Sequence, residues 1–247
     1  MASRDEIIAF ADELLDVRSF RDYGPMGLQV VGAAEVSRIV CAVSSSRELF
    51  TRAAALGAQL VLVHHGLLWD NEPRTIDARM KGRLQALFDA DLTLAAYHLA
   101  LDAHPEIGNN ALLARELGLA VDGPFAEIGV GGRFAEPPAI DELEASVERV
   151  VGRKPLVFAF GPERVERAAI VSGGGASYLV RAATDGFHLL LTGEAAEPTL
   201  HTAKELGVHL VAAGHYATER LGVQALAQRL ADRFGVEWEF VELENPV

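Results

Sequence analysis

The sequence predicts an α/β fold of two linked lobes with mainly parallel or mixed sheets. Three observations predict it. Short, near-continuous apolar runs alternate with segments of helical period, as expected for strands buried on both faces beneath helices. Helix-stop glycines such as Gly57 and Gly118 fall between the segments. The stretch 123–138 then breaks the alternation with Gly129, Gly131, Gly132, Pro137 and Pro138, where a lobe boundary or an irregular strand is expected. The lobes are set at 1–124 and 125–247, closely linked, with the functional site expected between them.

In the first lobe, Ser3 and Glu6 have the spacing of a capping box, in which each side chain takes up a backbone N–H at a helix start. Ile7, Phe10, Ala11, Leu14 and Leu15 follow on one helical face. Residues 39–43 form a strand, 48–56 a helix and 59–63 a second strand. A helix over 78–90 turns Leu84, Leu87 and Phe88 inward, a third strand covers 92–97, and a helix covers 110–117. In the second lobe, helices are expected at 142–151, around 178–183, at 199–206 and at 219–234. Strands are expected at 156–160, 168–171, 187–191, 209–212 and 236–241.

Composition excludes some functions. Half the residues are hydrophobic and 23% are charged, which is ordinary for a folded chain. A net charge of −13 with no Lys/Arg run argues against nucleic-acid and anionic-membrane binding, though not against a small nucleotide in a pocket. The single cysteine, Cys41, allows no internal disulfide and reads as a buried strand thiol. Arg4, Asp5 and Glu6 precede only a short amphipathic stretch, so no signal peptide is expected. No apolar run reaches the length of a membrane span. The expected location is cytoplasmic.

Three clusters of chemistry-bearing residues follow predicted strands, where loops of open α/β sheets build ligand sites. The first is Val63-His64-His65-Gly66. Neighbours in a strand point to opposite faces, but at a strand end the backbone turns and both imidazoles can reach one pocket. Its structural reading is a loop-capping His65 and a core His64. The second runs from Tyr97 through His98 and Asp102 to His104. Asp102 can ligate a divalent ion directly or hold a ligating histidine; its structural reading is a turn or cap residue. His104, followed by Pro105 and Gly108, fits a solvated loop. The third is Gly214-His215-Tyr216-Ala217-Thr218-Glu219, in which His215 and Glu219 share one helical face. Its structural reading is capping, with Thr218 as N-cap and Glu219 favoured by the helix dipole.

Three such clusters together point to metal. All donors are N or O, and none is thiolate, which suits zinc, iron, manganese, cobalt or nickel. The predicted ligands of two divalent ions per chain are His64, His65, Asp102, His215 and Glu219. Two such ions with a bridging hydroxide, roughly 3.5–4 Å apart, leave a net charge of about +1 and favour an anionic substrate group. Glu219 is the candidate bridge. Ser172-Gly173-Gly174-Gly175 reads as a tight turn rather than a phosphate cradle. Glu194 reads as a surface carboxylate, with a place in the same pocket as the alternative. His188, His201 and His209 read as structural, Trp69 as lining the pocket mouth, and Trp238 and Phe240 as core or subunit interface.

At these residues the chain resembles the type 2 GTP cyclohydrolase I family, also known as Ngg-interacting-factor-like dinuclear-metal proteins. The matching pieces are Gly27-Leu28-Gln29-Val30, Val63-His64-His65-Gly66, Ala96-Tyr97-His98, Leu101-Asp102, Gly108-Asn109-Asn110, Thr192-Gly193-Glu194 and the 214–219 segment. The resemblance implies two linked α/β lobes, a toroidal homohexamer, and a two-metal site at the five predicted ligands. It makes His98 a nearby candidate, as ligand or proton carrier. Relatives often have Asn where Met26 stands and Asp near Ser44 to Ser46; neither position is a predicted ligand.

Two functions follow, with a nucleotide-binding module centred on Gly173 to Gly175 as a third. In the first, the protein is a metal-dependent hydrolase of phosphoester or nucleotide-like substrates, with His98 as catalytic proton shuttle. In the second, it is a non-catalytic metal-binding assembly or metal-handling protein.

Overall fold

The computed structural model describes residues 1–247 and divides them into two compact units. Unit 1 comprises Met1–Leu101 with Gly222–Glu244, and unit 2 comprises Asp102–Leu221 with Asn245–Val247. The expected cut at 124/125 lies inside a strand of unit 2, and the last helix and strand return to unit 1.

The first part of unit 1 holds β1 (Ala2–Ser3), α1 (Arg4–Leu14), β2 (Gly27–Val30), β3 (Glu35–Val36), β4 (Arg38–Ser44), α2 (Arg47–Ala55), β5 (Leu60–His65), α3 (Ala78–Asp89) and β6 (Thr93–Ala96). The turn α4 (Leu99–Asp102) follows. Unit 2 continues with α5 (Asn109–Glu116), β7 (Leu119–Phe125), β8 (Gly129–Phe134), α6 (Ile140–Val151), β9 (Leu156–Phe158) and β10 (Arg167–Val171). It goes on through α7 (Leu179–Thr184), β11 (Leu189–Thr192), α8 (Thr199–Leu206), β12 (His209–Ala212) and α9 (His215–Thr218). The chain ends with α10 (Arg220–Phe234) and β13 (Glu237–Phe240).

The sheet of unit 1 has the order β13-β4-β5-β6-β2. Its first three pairings are parallel, and β2 adds antiparallel to β6. On one face Val40, Ala42, Val61, Val63, Leu94 and Ala96 pack with Leu49, Phe50 and Leu87 of α2 and α3. Ile39, Cys41 and Val43, of opposite parity on β4, are buried as well, so the strand is covered on both faces. Each such aliphatic side chain stabilises the fold by roughly 1.5–3 kcal/mol. Burial pushes the Cys41 thiol far up from its usual pKa, so it is an inert core group. Phe88, expected inward, is 61% exposed: Leu87 already fills the inward position of that turn.

The sheet of unit 2 has the order β7-β8-β10-β11-β12-β9, with a parallel centre, β10-β11-β12, flanked by antiparallel strands. Alternation sorts its residues: Ala168, Ile170, Leu189, Leu191 and Val211 pack with α5 and α6. Ala169, Val171, Leu190 and Leu210 pack with α7 and α8. The Gly/Pro stretch 123–138 thus belongs largely to an antiparallel hairpin of this sheet, with a register shift between Val121 and Gly123.

Caps follow sequence chemistry. Ser3, Ser46 and Asp77 each accept a backbone N–H at the start of α1, α2 and α3. Trp238 and Phe240 are half-buried, alternate with exposed Glu237 and Glu239, and Trp238 donates its indole N–H to Gln228 at 3.0 Å. No helix is long and apolar enough to cross a membrane.

Candidate metal centre

In unit 1 the apolar strand β5 ends in His64, buried, and His65, half-buried. Beyond β6 the chain delivers His98 to the same place. The ligand atoms of His64, His65 and His98 lie within 4.8 Å of one another. His64 Nδ1 donates to the Tyr97 carbonyl at 2.9 Å, which puts the ring's lone pair on Nε2. His65 Nδ1 meets Ser44 Oγ at 3.1 Å, across the β4–β5 pairing. His98 Nδ1 donates to Asp22 Oδ1 at 2.8 Å, and the Leu99 amide donates to Asp22 Oδ2 at 2.9 Å. Burial alone would raise the Asp22 pKa, but the His98 bond and charge, with the Leu99 and Tyr23 amides, outweigh it and hold the carboxyl below its usual value.

The turn after the histidine pair is fixed by Gln29. Its Oε1 accepts the Leu67 amide at 2.8 Å and its Nε2 donates to the Pro25 carbonyl at 2.7 Å. A Cβ at Gly66 would collide with this amide, which is why glycine follows the pair. Trp69 stands edge-on to His98 with ring centroids 5.2 Å apart and lies 6.0 Å from His65.

In unit 2 the donors are Asp102, His215 and Glu219, with both carboxylates buried. Asp102 Oδ1 accepts from Asn109 Nδ2 at 2.8 Å and from Ser172 Oγ at 3.0 Å, so this oxygen is held by two donors. Asn110 accepts the Ser172 amide at 2.7 Å and donates to the Ile128 carbonyl at 2.9 Å, tying α5 to the end of β10. Glu219 Oε1 lies 3.1 Å from His215 Nε2, and carboxylate oxygens of Asp102 and Glu219 come within 4.8 Å. His215 Nδ1 donates to Glu194. Burial alone would lower the His215 pKa; Glu219, then Glu194, outweigh it and push it up to about 9. In the absence of a cation, the proton on His215 balances this carboxylate pair.

The glycine run has a role here. Gly173 has φ of +62°, and a Cβ there would collide with Glu219 Oε1 and sit 3.0 Å from His215 Nε2. Glycine is required because both donors fill the place of its side chain. The Gly173 and Gly175 amides donate to Thr218 and Thr192 at 3.0 and 2.9 Å, which supports the turn reading over a phosphate cradle.

Two expectations are corrected, at Thr218 and Glu194. Thr218 is not the N-cap of the long helix, which starts at Arg220. It sits in α9, and its hydroxyl donates to the Gly214 and His215 carbonyls while accepting the Gly173 amide. Glu194 is not merely a surface carboxylate, because it holds His215. His104 Nδ1 accepts the Glu106 and Ile107 amides, as a loop residue would. His209 bonds to Gly161 and Pro162, and His188 accepts the Glu166 amide, both structural roles.

Unit 1 therefore carries three imidazoles whose ligand atoms could hold a metal ion, and Asp102, His215 and Glu219 of unit 2 also stand among the groups that could. The residues fit one: His64 and His98 have defined tautomers, Asp102 is held by Asn109 and Ser172, and Gly173 leaves room for Glu219 and His215. Fold and donors define an α/β protein with two mixed-sheet units and candidate metal-holding loops at their strand ends. The chain belongs to the Duf34/NIF3 (NGG1p interacting factor 3) family, whose model matches residues 2–246. It is similar to proteins named GTP cyclohydrolase 1 type 2 homolog. One, from Pseudomonas aeruginosa, is 42% identical over 245 residues and 97% of each chain; another, from Escherichia coli K12, is 41% identical over 242 residues and 98% of each. Among solved structures, protein ybgI, described as of unknown function, matches with a TM-score of 0.97 and 40% identity over the whole of both chains. A Thermus thermophilus protein matches with a TM-score of 0.92 and 36% identity, again over both whole chains.

Proposed function

We propose that His64, His65, Asp102, His215 and Glu219 hold two divalent cations, and that the protein is a metal-dependent hydrolase of a small phosphate-bearing or nucleotide-like substrate. The observation that carries this reading is that four of the five donors have a holder of their own: Tyr97 O for His64, Ser44 for His65, Asn109 and Ser172 for Asp102, and Glu194 for His215. Glu219, close to His215 and Asp102, is the proposed shared ligand. Two divalent ions against two carboxylates and neutral imidazoles leave about two positive charges, which favours an anionic substrate group. The name carried by the relatives supports a nucleotide-like one. Bound divalent ions supply Lewis acidity and lower the pKa of water. The chain's own residues do the rest. His98, anchored through Nδ1 on Asp22, moves a proton at Nε2. Trp69 shields His98 and His65 from solvent at the edge. A homohexameric assembly, following from the family resemblance, belongs to the same proposal.

Elemental analysis of the purified protein, paired with assays against phosphoesters, nucleotides and cyclic amides, tests the reading. The expectation is two ions per chain, with His64→Ala and Glu219→Ala losing metal and bringing turnover below detection. Turnover that persists in metal-free variants refutes the mechanism. Full occupancy with no turnover on any substrate class leaves metal holding, without catalysis, as the function.

A further inference from the structure

Away from the metal centre, α2 and α3 lie side by side on one face of the unit 1 sheet, and a groove of about 410 Å³ opens between them. Arg47 and Thr51 of α2 and Lys81, Gly82, Gln85 and Asp89 of α3 line it. Its volume is in the range of small-molecule sites. We propose that this groove binds a phosphomonoester of nucleotide size, with the phosphate between Arg47 and Lys81 and an N–H group of the ligand on Asp89.

Three observations support the site. First, two cations stand together without a carboxylate. Arg52 and Arg79, on the same two helices, are paired with Glu48 and Glu72, and Asp77 accepts the Met80 amide at 2.7 Å. Arg47 and Lys81 form no ion pair. The Arg47 side chain passes 3.8 Å from the place of a Cβ on Gly82, the residue next to Lys81, so both cations belong to one end of the groove. Arg47 opens α2 and Lys81 lies in the first turn of α3, so the positive ends of both helix dipoles add to them. In a chain of net charge −13 this is a local reversal of sign, and it favours an anion.

Second, Gly82 lies inside α3, where glycine weakens a helix. The chain's own packing does not require it. Its φ is not positive, and nothing outside its helix comes closer than 3.8 Å to the place of a Cβ. The bare backbone at this point forms a floor for a ligand beside the two cations.

Third, Asp89 is the last residue of α3, which sets a carboxylate at the negative end of the helix dipole. Its Oδ1 accepts Gln85 Nε2 at 2.7 Å, and Oδ2 remains for a ligand donor. Eight residues separate Lys81 from Asp89, about 12 Å along the axis, so one ligand engages both ends only if its phosphate and its N–H group are well apart. Glycine inside a helix and aspartate at its end both go against local preference, and both line the same groove, as expected of a functional surface.

None of these residues is a donor of the metal centre, so the groove and the cation reading are tested separately. Titration calorimetry on the full-length chain uses AMP, which carries a phosphate and an exocyclic amine, and compares ribose 5-phosphate and adenosine, which carry one of the two. The expected result is one AMP per chain with Kd below about 1 mM, and binding of each fragment weaker by at least about tenfold. Arg47→Gln and Lys81→Gln are each expected to raise the AMP Kd by at least about fivefold. Asp89→Ala is expected to weaken AMP and leave ribose 5-phosphate unchanged. Gly82→Ala is expected to raise the melting temperature by about 1–4 °C while weakening AMP, a combination that a purely structural glycine would not give. Absence of AMP binding overturns the proposal. So does AMP binding that Glu219→Ala abolishes and Lys81→Gln leaves unchanged, which assigns the nucleotide to the metal centre. A stabilised Gly82→Ala chain that binds AMP as tightly as the wild type overturns it as well.

Discussion

Unit 1 offers imidazoles and unit 2 offers mainly carboxylates, and the two kinds of donor respond differently when no cation is bound. His64, His65 and His98 gather three imidazoles beside one carboxylate, Asp22, which is already engaged by His98 and two amides. Asp102 and Glu219 are buried carboxyl groups, and the pKa of His215 between Glu219 and Glu194 is pushed up to about 9. An imidazole can be buried in its neutral form without a counter-charge once its N–H has an acceptor. A buried carboxylate pair needs a positive charge, and without metal the chain supplies a proton. Unit 2 is therefore the region whose stability depends more on a positive partner for its carboxyl groups.

The largest expected effect comes from glycine. Gly173→Ala forces a side chain into the space of Glu219 and His215 at a φ of +62°. Together the backbone and overpacking terms are expected to cost roughly 2–4 kcal/mol in urea unfolding. Gly66→Ala, at ordinary φ, displaces only the Gln29 amide and is expected to cost less. Equal losses would break the contrast between the units.

The next effect is a pH dependence of the cation-free protein. His215 has its folded pKa raised from 6.5 to about 9, so its stabilisation is fully present below pH 6.5 and is lost as pH rises through 9. The size is on the order of 3 kcal/mol. Asp22 is shifted the other way, so its contribution is present above its unfolded pKa and fades only in acid. Melting temperatures from pH 6.5 to 9 are expected to fall without metal, and Glu194→Gln is expected to flatten the fall. A cation-free wild type with constant melting temperature over that range would contradict the assignment.

The smallest effect is expected at Ser44→Ala, which removes a half-buried hydroxyl from His65 Nδ1. The loss is about 0.5–1.5 kcal/mol by urea unfolding, with a few-fold weakening of metal affinity by dialysis. A larger loss would mean that His65 is less well supported by its strand than its pairing implies.

The sequence displayed some of this directly. An apolar strand running into His64-His65-Gly66 and the His215/Glu219 spacing are local patterns, and periodicity reads local patterns well. Asp22 was not legible: it reaches His98 across 76 residues from a loop without periodic signal. Asn109 and Asn110 stood among the motif pieces, yet nothing in their spacing revealed that they set Asp102 and Ser172. The place of Gly173 against Glu219 depends on tertiary approach, which composition does not encode. Periodicity also identified a final helix and strand but not the sheet they join.

That final strand has a consequence for how the protein is made. Arg38 and Glu237, paired where β4 meets β13, are 199 residues apart, and every strand of the other sheet lies between them. On the ribosome the inserted sheet is synthesised whole while the apolar row 39–43 still lacks its last neighbour. Until translation ends, β4 presents a bare edge, a template for pairing with other nascent chains. A chain released before residue 237 would keep that edge and be prone to aggregate.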